Sequence, residues 1–381
     1  MSIHVTSVQQ RMQEALEDRA AKNSLRKLIP ADPSFSDFSS NDYLGIARSA
    51  EFIAYVRSKE NTVTQAQLYG SGGSRLLSGN SSFAEETEKF LATHFKAEAG
   101  LLFNSGYAAN SGIFGCIPKK GDTILFDELI HASVRDGMRL SHAKSWSFRH
   151  NDVHHLRELM DRAEGNVFVA VESVYSMDGD SCPLEELVEL CEEKNASLIL
   201  DEAHSTGLSG KNGEGMAVEL GLQDRIFVRL YTFGKAMGCH GAFVAGSELM
   251  RNYLINFART FIYTTALPVH DILVMRSAVE FVTAHPEERK KLSANVRYFR
   301  EHVAGKGLNV ELSGSPIQTL IIPGNENVKA VADRCRADKL DVRAILSPTV
   351  PEGKERLRII IHSFNSEAEI DKLIQQLSLE K

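Results

Sequence analysis

The feature that most constrains the fold is an alternation, between about residues 100 and 250, of short apolar runs with longer amphipathic segments. Several of the longer segments show the spacing of about 3.6 residues that is typical of a helix. In Leu184–Glu193, for example, the apolar side chains share one face, and Pro183 precedes the segment. Short runs that alternate with helices predict an α/β domain with a mainly parallel sheet and helices on both of its faces. The predicted strands are 101–103, 123–126, 145–148, 167–172, 198–201, 226–232 and 242–245.

The rhythm of the sequence changes after about residue 275. One long helix or two are predicted over 271–300, and shorter strands and helices follow. We therefore predict an N-terminal arm over 1–45, a large α/β domain over 46–274 and a smaller C-terminal α+β domain over 275–381. A length of 381 residues agrees with two or three domains, at roughly 150 residues for each. The later strands are predicted at 308–312, 317–322 and 357–361, and the later helices near 326–338 and 366–378.

Composition and charge exclude several classes of protein. The 43 basic and 50 acidic residues give a net charge of −7 without a strongly basic stretch, so nucleic-acid binding is not expected as the main activity. No apolar run approaches the roughly 18 residues of a membrane span. The polar first residues do not resemble a signal peptide. The five cysteines, without a CxxC pair, are expected to be free thiols of a cytoplasmic protein.

Chemically active side chains follow five of the predicted strands. In an open α/β sheet, ligands bind beyond the carboxyl ends of the strands, so we expect these side chains to converge at one edge. The segments concerned are Asn104–Tyr107, Asp127–His131, Glu172–Asp180, Asp201–His204 and Thr232–Lys235.

Each of these residues has an ordinary structural interpretation when it is taken alone. A lysine after a strand is usually solvated, an aspartate such as Asp201 often caps the next turn, and His131 and His204 are compatible with a protein core. Together they are the groups that pyridoxal 5'-phosphate (PLP) requires. A lysine such as Lys235 binds the aldehyde as a Schiff base, an acid pairs with the ring nitrogen, and a flat side chain stacks on the ring. Hydroxyls and a helix N-terminus bind the phosphate.

Eight stretches of the sequence resemble the α-oxoamine synthases, which are fold-type-I PLP enzymes that join an amino acid to an acyl thioester with loss of CO2. The resemblance implies the PLP-dependent transferase fold. TFGK followed by HGA, and PTVP before RLR, are similar to the branch that condenses L-alanine with a pimeloyl thioester, carried by CoA or acyl carrier protein, in biotin biosynthesis. The stretches are GSGGSRLLSG (70–79), LLFNSGYAAN (101–110), DELIHAS (127–133), VESVYSMDGD (171–180), LDEAHSTG (200–207), TFGKAMGCHGAFVAG (232–246), FARTFIYTTALP (257–268) and SPTVPEGKERLRI (347–359).

The resemblance implies catalytic roles for four residues that contact the cofactor. Lys235 would form the Schiff base and remove the α-proton of the amino acid. Asp201 would pair with the pyridine nitrogen, and His204 would bond the phenolic oxygen of the ring. His131 would stack on the ring, and Ser176 would lie near the cofactor.

The phosphate of the cofactor has its own implied partners. Gly106 and Tyr107 would donate backbone N–H groups, and Thr232 would add its hydroxyl. The family also implies a homodimer, in which Thr264 and Thr265 would reach the phosphate in the neighbouring subunit.

The implied substrate contacts lie elsewhere in the chain. Arg358 would bind the carboxylate of the amino acid, with Asn41 near it. Thr349 would contact the substrate, and Arg26 matches an arginine near the entrance for the acyl chain. One departure from the family is Ala84, close to where relatives usually have a histidine.

Other functions remain open at this stage. Close relatives use glycine with an acetyl thioester or serine with a palmitoyl thioester, and some family members are inactive regulatory subunits. Such subunits tend to lose the lysine that stands here at position 235. No metal site is expected, because His150, His154 and His155 have no carboxylate or cysteine at ligand spacing and are interpreted as a solvated helix start.

Overall fold

The structure, a computed structural model, describes residues 6–63 and 68–379. Within these residues the helices and strands follow the predicted alternation. The helices are α1 Ser7–Ala21, α2 Ala50–Glu60, α3 Ser82–His94, α4 Gly106–Cys116, α5 Ala132–Leu140, α6 Val153–Met160, α7 Leu184–Glu193, α8 Met216–Glu219, α9 Glu248–Phe257, α10 Arg259–Ile262, α11 Val269–Ala284, α12 Pro286–Val303, α13 Asn325–Ala337 and α14 Glu367–Leu377. The strands are β1 Ser36–Asp37, β2 Ala99–Phe103, β3 Thr123–Asp127, β4 Lys144–Phe148, β5 Val167–Glu172, β6 Ser197–Asp201, β7 Val228–Thr232, β8 Ala242–Gly246, β9 Val310–Glu311, β10 Ile317–Ile321, β11 Leu340–Asp341, β12 Arg343–Ile345 and β13 Arg356–Ile360.

A seven-stranded sheet with the order β2-β8-β7-β6-β5-β3-β4 forms the centre of the larger part of the chain. The neighbouring pairs from β7 to β4 are all parallel, whereas β8 runs antiparallel to both β2 and β7. Each of the seven apolar runs between 101 and 245 is one strand of this sheet. The prediction of a mainly parallel sheet is therefore confirmed.

Helices cover both faces of this sheet. On one face, Ile113 of α4 and Val134 of α5 pack in a buried cluster with Leu230 of β7. On the other face, Leu156 of α6 and Leu187 of α7 pack in a second cluster. Because both faces are covered, the central strands are continuous apolar runs rather than alternating ones.

The described residues form two compact units. Of the described residues, the first unit comprises 6–40, 177–179 and 292–379, and the second comprises 41–63, 68–176 and 180–291. These units group the chain differently from the three predicted segments. The predicted boundary at 275 lies within α11, which packs against α2 and α3 of the second unit. The division at 45 and 274 stays a prediction.

The first unit contains a four-stranded antiparallel sheet and a small parallel pair. The larger sheet has the order β12-β13-β10-β9. In the parallel pair, Ser36 of β1 is the register partner of Leu340 in β11, so the early chain pairs with the late chain. The early residues and the C-terminal residues thus share one unit.

Two expectations about the chain as a whole can be compared with the described residues. None of the helices described is long and apolar enough to cross a membrane. All five cysteines are free, and four of them are buried, which confirms the prediction of free thiols.

Candidate active site

A cavity of about 220 Å³ lies in the second unit, where several strands of the seven-stranded sheet end. It is lined by residues that follow β2, β3, β5, β6 and β7, the five strand ends singled out in the sequence. The cavity lining thus brings together residues from all five segments, and their functions stay predictions. The predicted site residues that line the cavity are Asn41, Gly106, Tyr107, His131, Asp201, Thr232 and Lys235.

Lys235 heads a chain of hydrogen-bonding groups. Its Nζ lies 2.8 Å from Nε2 of His204. The other ring nitrogen, Nδ1, lies 2.6 Å from the hydroxyl of Tyr43, which in turn donates to Oδ1 of Asn41 at 3.3 Å. If the ammonium group donates to Nε2, the neutral imidazole carries its proton on Nδ1 and donates to Tyr43. This arrangement fixes the direction of the Lys235 amine.

Asp201 is held in place by two donors at the end of β6. Its Oδ2 accepts a hydrogen bond from the Asn110 amide at 2.8 Å, and its Oδ1 accepts one from the backbone N–H of Ala203 at 2.9 Å. Asn110 belongs to α4, is buried, and also donates to the hydroxyl of Ser133 at 3.0 Å. The sequence prediction did not assign Asn110, because its function depends on the approach of α4 to the end of β6.

His131 is the residue before α5 and caps this helix with its side chain. Nδ1 accepts a hydrogen bond from the backbone N–H of Ser133 at 3.2 Å and lies 2.7 Å from the Ser133 hydroxyl. Desolvation lowers the pKa of His131, the Lys235 cation acts in the same direction, and Asp201 opposes them. A neutral ring that accepts at Nδ1 carries its proton on Nε2.

An anion site is formed at the N-terminus of α4. The first N–H groups of a helix have no acceptor within the helix, and the helix dipole favours negative charge there. Beside them, Oγ1 of Thr232 is buried and has no hydrogen-bond partner among the described residues. A Cβ atom on Gly106 would lie 2.6 Å from Cγ2 of Thr232, so glycine permits this close approach. The unpaired hydroxyl beside unpaired N–H groups suits a phosphate.

Some predicted cofactor residues do not line the cavity. Thr264 borders a smaller cavity with Arg75, and the carbonyl of Thr265 accepts a hydrogen bond from the Asn104 amide. Ser176 is likewise not among the lining residues. The predicted contacts of these three residues with PLP stay predictions. Tyr107 lines the cavity, but its hydroxyl donates to Asp136, which leaves the backbone N–H as its contribution.

Three predicted substrate residues belong to the first unit. Within that unit, Arg26 Nη2 donates a hydrogen bond to Thr349 Oγ1 at 3.2 Å, so two residues predicted from separate motifs are in contact. Arg358 lies on β13, where Thr319 of β10 and Arg343 of β12 are its register partners. Their part in binding substrate stays a prediction.

The interpretation of His150 as solvated is wrong. Its Nδ1 lies 2.9 Å from Oδ1 of Asp127, and its Nε2 lies 2.7 Å from Oδ2 of Asp180. These two carboxylates raise the pKa of His150 to about 10, although burial opposes them. His150 therefore forms a double ion pair. In the described part of the chain, no group of three or more candidate ligands is placed to bind a metal ion.

Glu172 lines the cavity and was not assigned a function from the sequence. It is the last residue of β5, it is 3% exposed, and its Oε1 has no hydrogen-bond partner among the described residues. Burial and the neighbouring Asp201 raise its pKa to about 8. Its position after an apolar run was visible in the sequence, but its surroundings were not.

The chain is similar to known proteins over most of its length. The model of the family "Aminotransferase class I and II" matches residues 34–377. The 8-amino-7-oxononanoate synthase of Emericella nidulans is 42% identical over 391 residues, with 96% of this chain and 94% of the relative covered. A structure of SPT with PLP has a TM-score of 0.83 at 27% identity, covering 90% of this chain and 86% of that one. The 8-amino-7-oxononanoate synthase structure from Francisella tularensis has a TM-score of 0.77 at 29% identity, covering 92% and 98%.

The fold, the amine, the carboxylate and the anion site define a PLP-dependent transferase. Within this class, the chain belongs to the α-oxoamine synthases of the class I and II aminotransferase family. The family resemblance predicted from the sequence, its fold and its cofactor are thereby confirmed.

Proposed function

We propose that this protein condenses L-alanine with a pimeloyl thioester and releases 8-amino-7-oxononanoate, CO2 and the free thiol, as a step of biotin biosynthesis. The observation that carries the proposal is the grouping of Lys235, Asp201 and His131 around one cavity. The names of the Emericella and Francisella proteins, at 42% and 29% identity, support this choice of substrates.

The cavity residues divide the binding of PLP between them. Lys235 would hold the aldehyde, Asp201 the ring nitrogen, and the N-terminus of α4 with Thr232 the phosphate. By the family resemblance, His204, which contacts Lys235, would bond the phenolic oxygen, and Ser176 would lie near the cofactor. When bound, PLP supplies an electron sink for the negative charge that develops at the α-carbon of the amino acid.

Lys235 moves the proton in this mechanism. The family resemblance assigns removal of the α-proton of the amino acid to this lysine, whose side chain lines the cavity. His204 lies 2.8 Å from Nζ of Lys235 and is itself held by Tyr43, so the amine keeps one direction while the proton is transferred.

His131 orients the ring and polarises the acyl carbonyl. Because its Nδ1 is engaged by Ser133, its Nε2–H is the group that donates a hydrogen bond to the thioester oxygen. The variant His131→Phe is therefore expected to bind PLP and to lose condensation activity. Full condensation activity in this variant would refute the role.

The remaining contacts are proposed from the family. Arg358 and Asn41 bind the amino-acid carboxylate, while Thr349 and Arg26 contact the acyl substrate, which CoA or an acyl carrier protein delivers. Thr264 and Thr265 reach the phosphate in the partner subunit of a homodimer. The five free cysteines suit a reducing compartment such as the cytoplasm.

A second candidate keeps the same chemistry with other substrates. The SPT structure is similar at 27% identity, against 29% for the Francisella structure, and condensation of serine with a long-chain acyl thioester is the alternative. Glycine with an acetyl thioester is the third member of this group. An inactive regulatory subunit is disfavoured, since Lys235 is present and in contact with His204.

A competition experiment tests the proposal. The purified enzyme receives L-alanine, glycine and L-serine together with pimeloyl, acetyl and palmitoyl thioesters, and product masses are measured. A dominant alanine–pimeloyl product is expected. A serine–palmitoyl or glycine–acetyl product would refute the substrate assignment and retain the cofactor site. Lys235→Ala serves as the control, because it should give no product with any pair.

A further inference from the structure

Two carboxyl groups end adjacent parallel strands at the edge of the cavity. Glu172 of β5 and Asp201 of β6 are register partners, so their side chains project from the same face of the sheet. Neighbouring parallel strands lie roughly 4.8 Å apart. The charge of Asp201 opposes ionisation of Glu172, and of two carboxyl groups that share a site one tends to keep its proton.

The hydrogen-bond partners show which group keeps the proton. Asp201 accepts from Asn110 and from the backbone N–H of Ala203, and these donors stabilise a carboxylate. The carboxyl group of Glu172 has a backbone hydrogen bond from His131, but its Oε1 is buried without a donor among the described residues. A buried carboxylate oxygen without a donor is much less favourable than a neutral carboxylic acid.

The charged groups that face Glu172 come from several elements. Asp201 and Asp127, at the ends of β6 and β3, disfavour its ionisation. Lys235, after β7, and the backbone N–H of His131, before α5, favour ionisation. Burial is the largest influence and raises the pKa of Glu172 to about 8. The groups that oppose ionisation of Glu172 outweigh those that favour it, so the net effect on its pKa is upward.

We propose that Glu172 is a positioning residue that remains a neutral carboxylic acid beside Asp201, so that Asp201 presents the single carboxylate charge of the described cavity lining to the ring nitrogen of PLP. The proposal rests on the cofactor site and is independent of the identity of the amino acid and the thioester. As the pH rises, ionisation of Glu172 adds a second negative charge to a cavity that must accept the phosphate of PLP.

Three forms of the protein separate the proposed role from simple packing: wild type, Glu172→Gln and Glu172→Leu. The amide is neutral at every pH and still offers hydrogen-bond donors, whereas leucine is neutral and offers none. The equilibrium dissociation constant of PLP is measured with the apo form of each protein from pH 6.5 to pH 9.5. Infrared difference spectra of the apo proteins, wild type minus Glu172→Gln, report the carbonyl band of a protonated carboxylic acid.

We expect the infrared band in wild type near neutral pH and its loss with an apparent pKa near 8. We expect PLP affinity of wild type to fall about tenfold more than that of Glu172→Gln between pH 7 and pH 9.5. At pH 7, Glu172→Gln should bind PLP like wild type, and Glu172→Leu more weakly.

An absent band, or parallel affinity profiles of wild type and Glu172→Gln, would overturn the proposal. A second infrared difference spectrum, wild type at pH 6.5 minus wild type at pH 9.5, reports the loss of a carboxylic acid band without either variant. None of these measurements uses a substrate, so their failure is distinct from failure of the competition experiment.

Discussion

Glu172 and Glu202 lie in two regions of the second unit, and their buried carboxyl groups differ in the hydrogen-bond donors around them. Both are almost completely buried, at 3% and 0% exposure. Glu202 accepts hydrogen bonds from the backbone N–H groups of Met216 and Ala217, at 2.7 and 3.0 Å, and from the Ser205 hydroxyl. Oε1 of Glu172 has no such donor among the described residues. Burial alone therefore does not separate a structural carboxylate from one beside a reaction site, whereas the donors do.

A third carboxyl group extends the comparison. Asp127, at 0% exposure, faces the His150 ring, which also contacts Asp180. Backbone N–H groups and a hydroxyl compensate the carboxyl group of Glu202. The His150 ring compensates that of Asp127 together with the backbone N–H groups of Leu129 and Asn151. We infer that a bound proton compensates that of Glu172. Each form of compensation predicts a different response to mutation and to pH.

The largest effect on stability is expected from Glu202→Ala. The change leaves two backbone N–H groups and one hydroxyl buried without an acceptor, at roughly 1–3 kcal/mol for each. We expect the free energy of unfolding to fall by about 4 kcal/mol, measured by urea denaturation. Glu202→Gln, which keeps one acceptor oxygen, should lose less. Equal losses in both variants would contradict the importance of the donors.

Glu172→Gln is expected to change the free energy of unfolding in the opposite direction, that is, to stabilise the protein. A carboxyl group whose pKa is raised from 4.5 to about 8 in the folded protein contributes stability below pH 4.5 that is lost as the pH rises through 8. The variant lacks this loss, so at pH 7 it should be more stable than wild type by about 3 kcal/mol. The two apo proteins should converge at pH 4.5. A constant difference at all pH values would show that packing, not ionisation, separates them.

His150→Gln tests compensation by a cation. A histidine whose pKa is raised from 6.5 to about 10 contributes stability that is complete below pH 6.5 and is lost as the pH rises through 10. Because the side chain is 24% exposed and solvent screens the pairs, we expect a loss of about 2 kcal/mol at pH 7. Urea unfolding at pH 7 and at pH 10 should show that the difference in the free energy of unfolding between wild type and His150→Gln disappears at pH 10. A loss that persists at pH 10 would instead indicate a steric effect.

The smallest effect is expected from Gly106→Ala, which tests the proposed binding of the PLP phosphate at the N-terminus of α4. The added Cβ would lie 2.6 Å from Cγ2 of Thr232 and would displace this side chain. We expect about tenfold weaker PLP binding, or about 1.4 kcal/mol, by fluorescence titration of the apo protein. Thr232→Val removes the hydroxyl while keeping the shape and should weaken binding similarly. Unchanged affinity in both variants would place the phosphate elsewhere.

Much of the cavity could be predicted from the sequence, because position along the chain and position in a parallel sheet are linked. Lys235, Asp201 and His131 each follow an apolar run, and the ends of such runs meet at one edge. Asn110 and Tyr43 were missed, since their functions depend on contacts between helices, loops and strand ends that no local pattern records.

The errors and omissions have the same physical origin. His150 was interpreted as solvated because its partners, Asp127 and Asp180, are 23 and 30 positions away in the sequence. The antiparallel direction of β8 depends on its neighbours rather than on its composition. Two-residue strands such as β1 are too short to show any periodicity.

The pairing of β1 with β11 has a consequence for synthesis. The residues that pair, such as Ser36 and Leu340, are separated by most of the chain, so a ribosome must complete nearly the entire protein before this ladder can form. The second unit, which ends at Lys291, is translated earlier and can begin to fold first. During this interval β11 has not yet been synthesised, so β1 cannot form its ladder while the second unit begins to fold.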